Sequence, residues 1–335
     1  MSGLPKFLLQ RVAAMIVILL VLTAVIFALQ KLSHTNPVHA YLGANASKQA
    51  IAKESAILGY NKPIPDQYGH YIEGLFHGNL GRSLRTRRLV STDIRTYLPA
   101  TIELTVAALI VALVLGAALG VAAVGRWRGA AILRVLMLSG ASTPAFLLAL
   151  LAVLIFNGDL HWLPASGDTG VQNAPTGPTG MIVLDALLHG EYATMWDGLV
   201  HLFLPALCVA IGPAVSIGRV LRGSLQSAMR SDFVRTARSK GLANHVVLFR
   251  HALRNSLSAA ISMTGLQIGL MFAGVVVVET VFAWPGIGLY TDQSIPVADF
   301  PAIAGVTLVL GVFYVVINAV VDILQVVVDP RVTLE

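Results

Sequence analysis

The chain has 335 residues, of which 56% are hydrophobic and only 12% charged, with a formal net charge of +6. A soluble domain carries about 25% charged residues, so this composition excludes an ordinary water-soluble protein and reads as an all-α, polytopic membrane protein. The lone cysteine, Cys208, lies in an apolar segment, which excludes an intrachain disulfide and a cysteine-based metal site.

The first predicted span is Val12–Leu29, eighteen residues without a charge. A cleavable signal would have a shorter apolar core and a small-residue cleavage site, so residues 1–30 read as an N-terminal segment with a permanent span. Residues 31–98 form a long polar connection, too long to be structureless in a compact protein. Within it Tyr68, Tyr71, Ile72, Leu75 and Phe76 fall at helical spacing. They predict a helix with one apolar face, which rests on the membrane domain or also touches a soluble partner. The core, residues 99–324, holds five further spans: Thr101–Val124, Val135–Phe156, Leu199–Ile217, Leu257–Val278 and Ile303–Val321. Each is near the roughly twenty residues needed to cross a bilayer. Residues 325–335 form a tail.

The loops set the expected orientation. Residues 157–198 contain Asp159, Asp168, Asp185, Glu191 and Asp197 without a Lys or Arg, and residues 282–300 contain Asp292 and Asp299, again without one. The turn after the second span carries Arg126, Arg128 and Arg134, and Lys6 and Arg11 precede the first span. Basic loops stay inside, so both termini are expected in the cytoplasm. Arg82, Arg85, Arg87, Arg88 and Arg95 crowd the other side, but long translocated segments follow the rule weakly.

Inside the spans, Gly116 with Gly120 and Gly265 with Gly269 are spaced for close helix crossings. Pro144, Pro205 and Pro213 remove backbone hydrogen bonds and predict kinks. Ser139, Ser142 and Thr143 sit beside Pro144, and such polar, broken segments either line a water-filled path or simply pack. Glu103 stands at the start of the second span, where a helix N-terminus would favour its carboxylate. Glu279 ends the fifth span, just before AWPGIG, and either orders a gate or serves packing.

The most informative stretch is Ser231–Leu257, SDFVRTARSKGLANHVVLFRHALRNSL. Ser231 is an expected N-cap with Asp232 after it, and Gly241 stands where a helix would end in a left-handed residue. Asn244 can cap a second helix, whose apolar stripe is expected at Val246, Phe249, Leu253 and Leu257. Phe233, Ala237 and Gly241 share a line that lets a partner approach closely. Arg219, Arg222, Arg230, Arg235, Arg238, Lys240, Arg250 and Arg254 face only one acid, Asp232. Spans on both sides exclude a DNA-reading helix–turn–helix, and no nucleic-acid partner is expected. The positive-inside rule explains the charge but not the caps, which point to a docking element for a cytoplasmic partner.

DFVRTARSKGL with His251–Asn255 resembles the EAA-type coupling motif of ABC-importer permeases, in the branch that carries oligopeptides, dipeptides and nickel. Asn36–Val38, Gly78–Leu84, Leu98–Leu104, His201–Ala210, Glu279–Tyr290 and Asp329–Arg331 extend the resemblance over nearly the whole chain. It implies a type I (MetI-like) permease fold with six transmembrane helices and coupling helices at residues 219–256. It also implies a bacterial inner-membrane location, a homologous second permease, two ATPase subunits and an extracytoplasmic substrate-binding protein. The residues it assigns to ATPase coupling are Asp232, Arg235, Thr236, Ala237, Arg238, Lys240, Gly241, His251, Arg254 and Asn255. For the path or gate the expected residues are Ser142, Pro144, Gln267, Glu279, Pro285 and Gly286.

The chain contains no GxxxxGK[ST] phosphate cradle, no HExxH and no GxSxG elbow. Its histidines are scattered, so no catalytic centre, metal site or bound cofactor is expected, and ATP with Mg belongs on partner subunits. A secondary carrier would show internal repeats and buried coupling charges, and neither is found. The expected function is therefore a permease coupled to a separate ATPase. Its expected cargo is short peptides, because Ser139, Ser142, Thr143, Ser258, Ser262, Thr264 and Gln267 are neutral. A desolvated metal ion would want imidazole, thiolate or carboxylate ligands.

Overall fold

The structure is a computed structural model, which describes residues 3–32, 42, 47–57, 61–124, 129–133, 135, 143–172, 174 and 177–328. Ser139, Ser142, Arg126, Arg128, Arg134, Asn36–Val38 and Asp329–Arg331 lie outside the described residues. In chain order the helices are α1 (Gly3–Leu32), α2 (Lys48–Ile57), α3 (Ile64–Phe76), α4 (Val90–Ala122), α5 (Ala145–Ala152), α6 (Ile182–Leu188), α7 (Tyr192–Ala228), α8 (Asp232–Ser239), α9 (Asn244–Val246), α10 (Leu253–Val281), α11 (Ile287–Ser294) and α12 (Phe300–Val328). Two π-helical segments continue α5 and α9, at Val153–Asp159 and Val247–Ala252. Among the described residues there is no strand, only an isolated bridge between Arg82 and Leu89.

Among the described residues, five helical stretches are long and apolar enough to cross a membrane: Val12–Leu32, Val90–Ala122, Tyr192–Ala228, Asn244–Val281 and Phe300–Val321. The third expected span is represented by the shorter apolar stretch Ala145–Asp159. Several helices outrun their apolar runs. The second was expected to begin at Thr101 and starts at Val90. The fourth runs from Tyr192 to Ala228 rather than Leu199 to Ile217. The added turns of α4 are packed inside the protein: Val90, Asp93 and Ile94 are buried.

The core is where α4, α5, α7 and α10 meet, around Leu104, Ala149, Leu204, Val275 and Trp284. Small residues set the spacing. A Cβ on Gly116 would lie 3.0 Å from the carbonyl oxygen of Ala214, and one on Gly120 would lie 3.0 Å from that of Gly218. The first GxxxG pair is thus the seam between α4 and α7. Gly265 and Gly269 do the same for α10 against Val321 and Tyr314 of α12. Pro205 and Pro213 lie inside α7 as expected. Pro144 does not lie inside a helix: it is the extended residue before α5, and its carbonyl accepts from the amides of Leu147 and Leu148.

In the described part of the connection before α4 the expected helix forms as α3, but Phe76, expected on its apolar face, is 86% exposed. Helix α3 lays Tyr68 and Tyr71 against Phe27 of α1, with ring centroids 5.4 and 6.1 Å apart. The Tyr68 hydroxyl meets Thr23 Oγ1 at 3.0 Å. Gly78–Leu84 then fastens the far end of the bundle. The Ser83 hydroxyl donates to Asp299 at 2.5 Å, as does the Arg85 amide at 3.1 Å. The Arg85 guanidinium lies 5.1 Å from the ring centre of Tyr290.

Candidate coupling and translocation elements

Helix α8 ends as the sequence predicts. Gly241 has φ +78, a value that favours glycine. The amide of Gly241 donates to Arg238 O at 2.9 Å and that of Leu242 to Ala237 O at 3.3 Å. These two bonds form a Schellman motif, which satisfies the last carbonyls of α8. At the other end Ser231 has the extended N-cap backbone, but its hydroxyl turns back to the carbonyl of Ala228 and caps nothing. Asn244 is the first helical residue rather than the cap; Ala243 holds the cap position.

The buried face also differs from the expected one. Val234 and Ala237 pack on Val247, so the small side chain of Ala237 serves contact within this chain. Nothing approaches a Cβ built on Gly241. In the second segment Val247, Ala252 and Ser256 are buried, while Phe249 is 57% exposed and Leu257 is 39% exposed. The cause is the π-helical segment Val247–Ala252, which widens the repeat there from four residues to five. A 3.6-residue pattern cannot register that shift.

The outward surface therefore combines exposed Asp232, Arg235, Thr236, Arg238 and Lys240 with Phe233 and Phe249. The Asp232–Arg235 pair at 3.6 Å is almost fully exposed and contributes little to stability. His251 is half-buried, and its carbonyl accepts from the exposed Asn255 amide at 2.9 Å; Arg254 is exposed beside it. Phe249 is a surface aromatic that sequence periodicity had turned inward.

The second element is a cavity of about 270 Å³ among α5, α7 and α10. Thr143, Cys208, Ser216 and Gln267 supply its polar wall, and Met271 and Gly274 continue it. Gln267, one of the residues expected on the path, lines this cavity together with Ser216, which no motif announced. Ser262 and Thr264 instead donate to Ser258 O and Ala260 O of their own helix.

Glu279, Pro285 and Gly286 lie apart from this cavity, in a turn sealed by Phe282 and Trp284. Trp284 Nε1 donates to Ala100 O at 2.9 Å. The Thr101 hydroxyl accepts from Ile287 N at 2.8 Å, and Glu279 Oε2 accepts from Gly288 N at 2.6 Å. The first amides of α11 are thereby satisfied by two side chains. Glu103 plays the same part for α6, accepting from Ile182 N at 3.1 Å and Val183 N at 2.9 Å. It sits well inside α4 and serves another helix's N-terminus, not its own as the sequence had suggested.

Long apolar helices enclosing a cavity with a partly polar wall, with a capped basic element beside them, make up a polytopic membrane transport subunit. Residues 112–334 match the family described as binding-protein-dependent transport system inner membrane component, and residues 4–105 match its N-terminal component. The chain belongs to that family and is a multi-pass permease subunit of the ABC-importer type. It is 37% identical over 330 residues to the dipeptide transport system permease protein of Alkalihalophilus pseudofirmus, covering 97% of this chain and 98% of the relative. It is 36% identical to the probable D,D-dipeptide transport system permease protein of Escherichia coli, covering 96% of each. It is also 36% identical to the di/tripeptide transport system permease protein of Pseudomonas aeruginosa, covering 98% of each.

Proposed function

We propose that this chain forms part of the translocation path for short peptides and is driven by separate ATPase subunits that engage α8 and the segment after it. The observation that carries the cargo is the end-to-end similarity to permeases named for di- and tripeptides. The chemistry of the cavity agrees with it. Gln267, Thr143 and Ser216 offer neutral donors and acceptors to a peptide backbone; among the described residues the wall holds no carboxylate or imidazole and one thiol, Cys208, too few ligands for a bare metal ion. A second, homologous permease completes the path and an extracytoplasmic binding protein delivers the peptide. ATP and Mg are held on the partner subunits. Their closure pushes on α8, and the movement reaches the cavity through α7 and α10.

Uptake in a strain lacking this chain tests the cargo, with radiolabelled di- to pentapeptides compared against nickel. Saturable peptide uptake is expected to disappear and to return with the restored gene. Loss of nickel uptake with peptide uptake unchanged overturns the assignment.

A further inference from the structure

Two neighbouring cavities on the flank of α1, away from the proposed path, are not used by it. The first, about 520 Å³, is walled by α1, α3 and α12 and is almost wholly apolar, with Leu19, Leu75, Leu98 and Val309 among its walls. Its rim residues Ile16, Leu20, Phe76 and Val312 are exposed, so it opens onto the outer face of the bundle. The second, about 340 Å³, shares Leu80 with the first and is bordered by Gln30, Gln67, His70, Tyr71 and Asn79. Along α1 the apolar cavity reaches from Ile16 to Thr23 and the polar one from Ile26 to Gln30. Along α12 the order is reversed, as two antiparallel helices require: Phe300 to Ala304 is polar-side, Leu308 to Phe313 apolar-side.

We propose that these two adjoining cavities hold one membrane phospholipid, one of its acyl chains in the apolar cavity and its phosphodiester headgroup in the more polar one. The length fits. From Ile16 to Gln30 the walls run about 20 Å at about 1.5 Å per residue, close to half of the roughly 40–45 Å thickness of a bilayer with its headgroups. The volume fits as well, since cavities of about 300–1,000 Å³ hold small molecules. Both α1 and α12 contain stretches long and apolar enough to cross a membrane, so an opening between them lies where acyl chains can reach it.

The headgroup end carries its own evidence. The Tyr71 hydroxyl is buried and has no hydrogen-bond partner within the described protein. A buried donor without an acceptor is costly, and a phosphate oxygen in the adjoining cavity supplies one. Burial first, then Tyr68, pushes the Tyr71 hydroxyl up to about 12, so it stays a donor at any physiological pH. The Lys31 ammonium, bonded to Gln67 and 5.3 Å from the Phe27 ring centre, brings a positive charge to the same mouth. The acids of α3 are Asp66 and Glu73, both exposed, and Glu73 faces His70 at 3.7 Å.

The test uses the full chain in vesicles of phosphatidylethanolamine and phosphatidylglycerol carrying a trace of phosphatidylethanolamine with a mid-chain diazirine. After illumination, adducts on Leu75, Leu98 and Val309 are expected about tenfold above those on Val17 and Val25, a preference equal to about 1.4 kcal/mol. The latter two residues are exposed on α1 away from the cavities and report the bulk lipid. Leu75→Trp should fill the apolar cavity and bring labelling of Val309 down to that background. Tyr71→Phe removes one oxygen atom and leaves the fold intact; it should lower cavity labelling several-fold without changing Val17. Equal labelling of cavity and background positions overturns the proposal, as does cavity labelling that Tyr71→Phe leaves unchanged. Quenching of the cavity adducts by excess transported tripeptide also overturns it, because the occupant is then the cargo.

Discussion

Glu279 Oε2 lies 2.6 Å from the backbone nitrogen of Gly288, nine residues further along the chain. Both residues are buried, and the bond ties the end of α10 to the start of α11. A Cβ on Gly288 would sit 2.6 Å from Val276 Cα and 2.7 Å from the carboxylate itself. Gly288→Ala is therefore expected to cost about 1–3 kcal/mol through overpacking. Glu279→Ala should cost a similar amount by leaving the amide unpaired, and Glu279→Gln, which keeps an acceptor, should cost less. Thermal melting of the purified chain in detergent ranks the three; equal midpoints for all would contradict the brace.

The crossing of α4 and α7 gives a second comparison on glycine. Gly116→Ala puts a methyl group 3.0 Å from Ala214 O, and a loss of about 1–3 kcal/mol is expected. Gly223, in the same α7, has nothing within 4 Å of its Cβ position. Gly223→Ala should raise stability by up to about 1 kcal/mol through helix propensity alone. Opposite signs in the two melting shifts are the result to look for.

The spans and the end of α8 were readable in the sequence for different reasons. Runs of apolar residues near twenty long have few alternatives to a membrane helix, and Gly241 marks a helix end because only a residue free of a Cβ adopts φ +78 without strain. Glu103 was misplaced because its partners, Ile182 and Val183, lie some eighty residues away, and nothing local announces them. Phe249 was turned inward because a π-helical turn breaks the periodicity used to orient it. Ser216 was missed because a single serine in an apolar helix looks like any other until α5 and α10 close around it.

Coupling can be separated from folding at Gly241. Asn tolerates the left-handed region better than other residues with a side chain, and no neighbour crowds the site. Gly241→Asn should leave the melting temperature of the isolated chain almost unchanged, and Gly241→Ala should cost about 1 kcal/mol. If an ATPase surface seats against this corner, both variants lose transport and retain less ATPase on co-purification. Wild-type transport by Gly241→Asn would remove Gly241 from the docking surface.

The loop before α6 is predicted to respond to acid. Burial pushes the Asp185 carboxyl up, but hydrogen bonds from the Thr179 hydroxyl at 2.7 Å, the Thr179 amide at 3.2 Å and the Gly180 amide at 2.8 Å outweigh it. The carboxyl is held below its ordinary value. A depressed carboxylate stabilises the fold fully above its unfolded value of about 3.9 and loses that contribution as pH falls through the lower folded value. Amide exchange of Thr179 and Gly180 should therefore be constant from neutral pH to about 4, after correction for intrinsic rates, and quicken below it. Asp185→Asn should exchange fast at every pH.

Orientation can be read with single cysteines in a Cys208→Ser background. Ser239 is exposed on α8 and Ser166 is exposed in the acidic loop. Gly167 is a poor site, with φ +82 and its amide bonded to Phe282 O at 2.9 Å. An impermeant maleimide on intact spheroplasts should label position 166 and spare 239 until the membrane is opened. The reverse pattern would invert the topology.

Helix α7 is 37 residues long, about 55 Å at about 1.5 Å per residue. The hydrocarbon core of a bilayer takes up only about 30 Å of that. From Gly218 to Ala228 the helix carries Arg219, Arg222, Ser224, Gln226 and Ser227, a stretch of about 16 Å beyond the apolar run. That stretch is no free rod: Leu221 and Leu225 on it are buried in one cluster with Ala252 and Ala260. A push on α8 would therefore meet a rigid lever, because the end of α7 that carries it is locked to the start of α10.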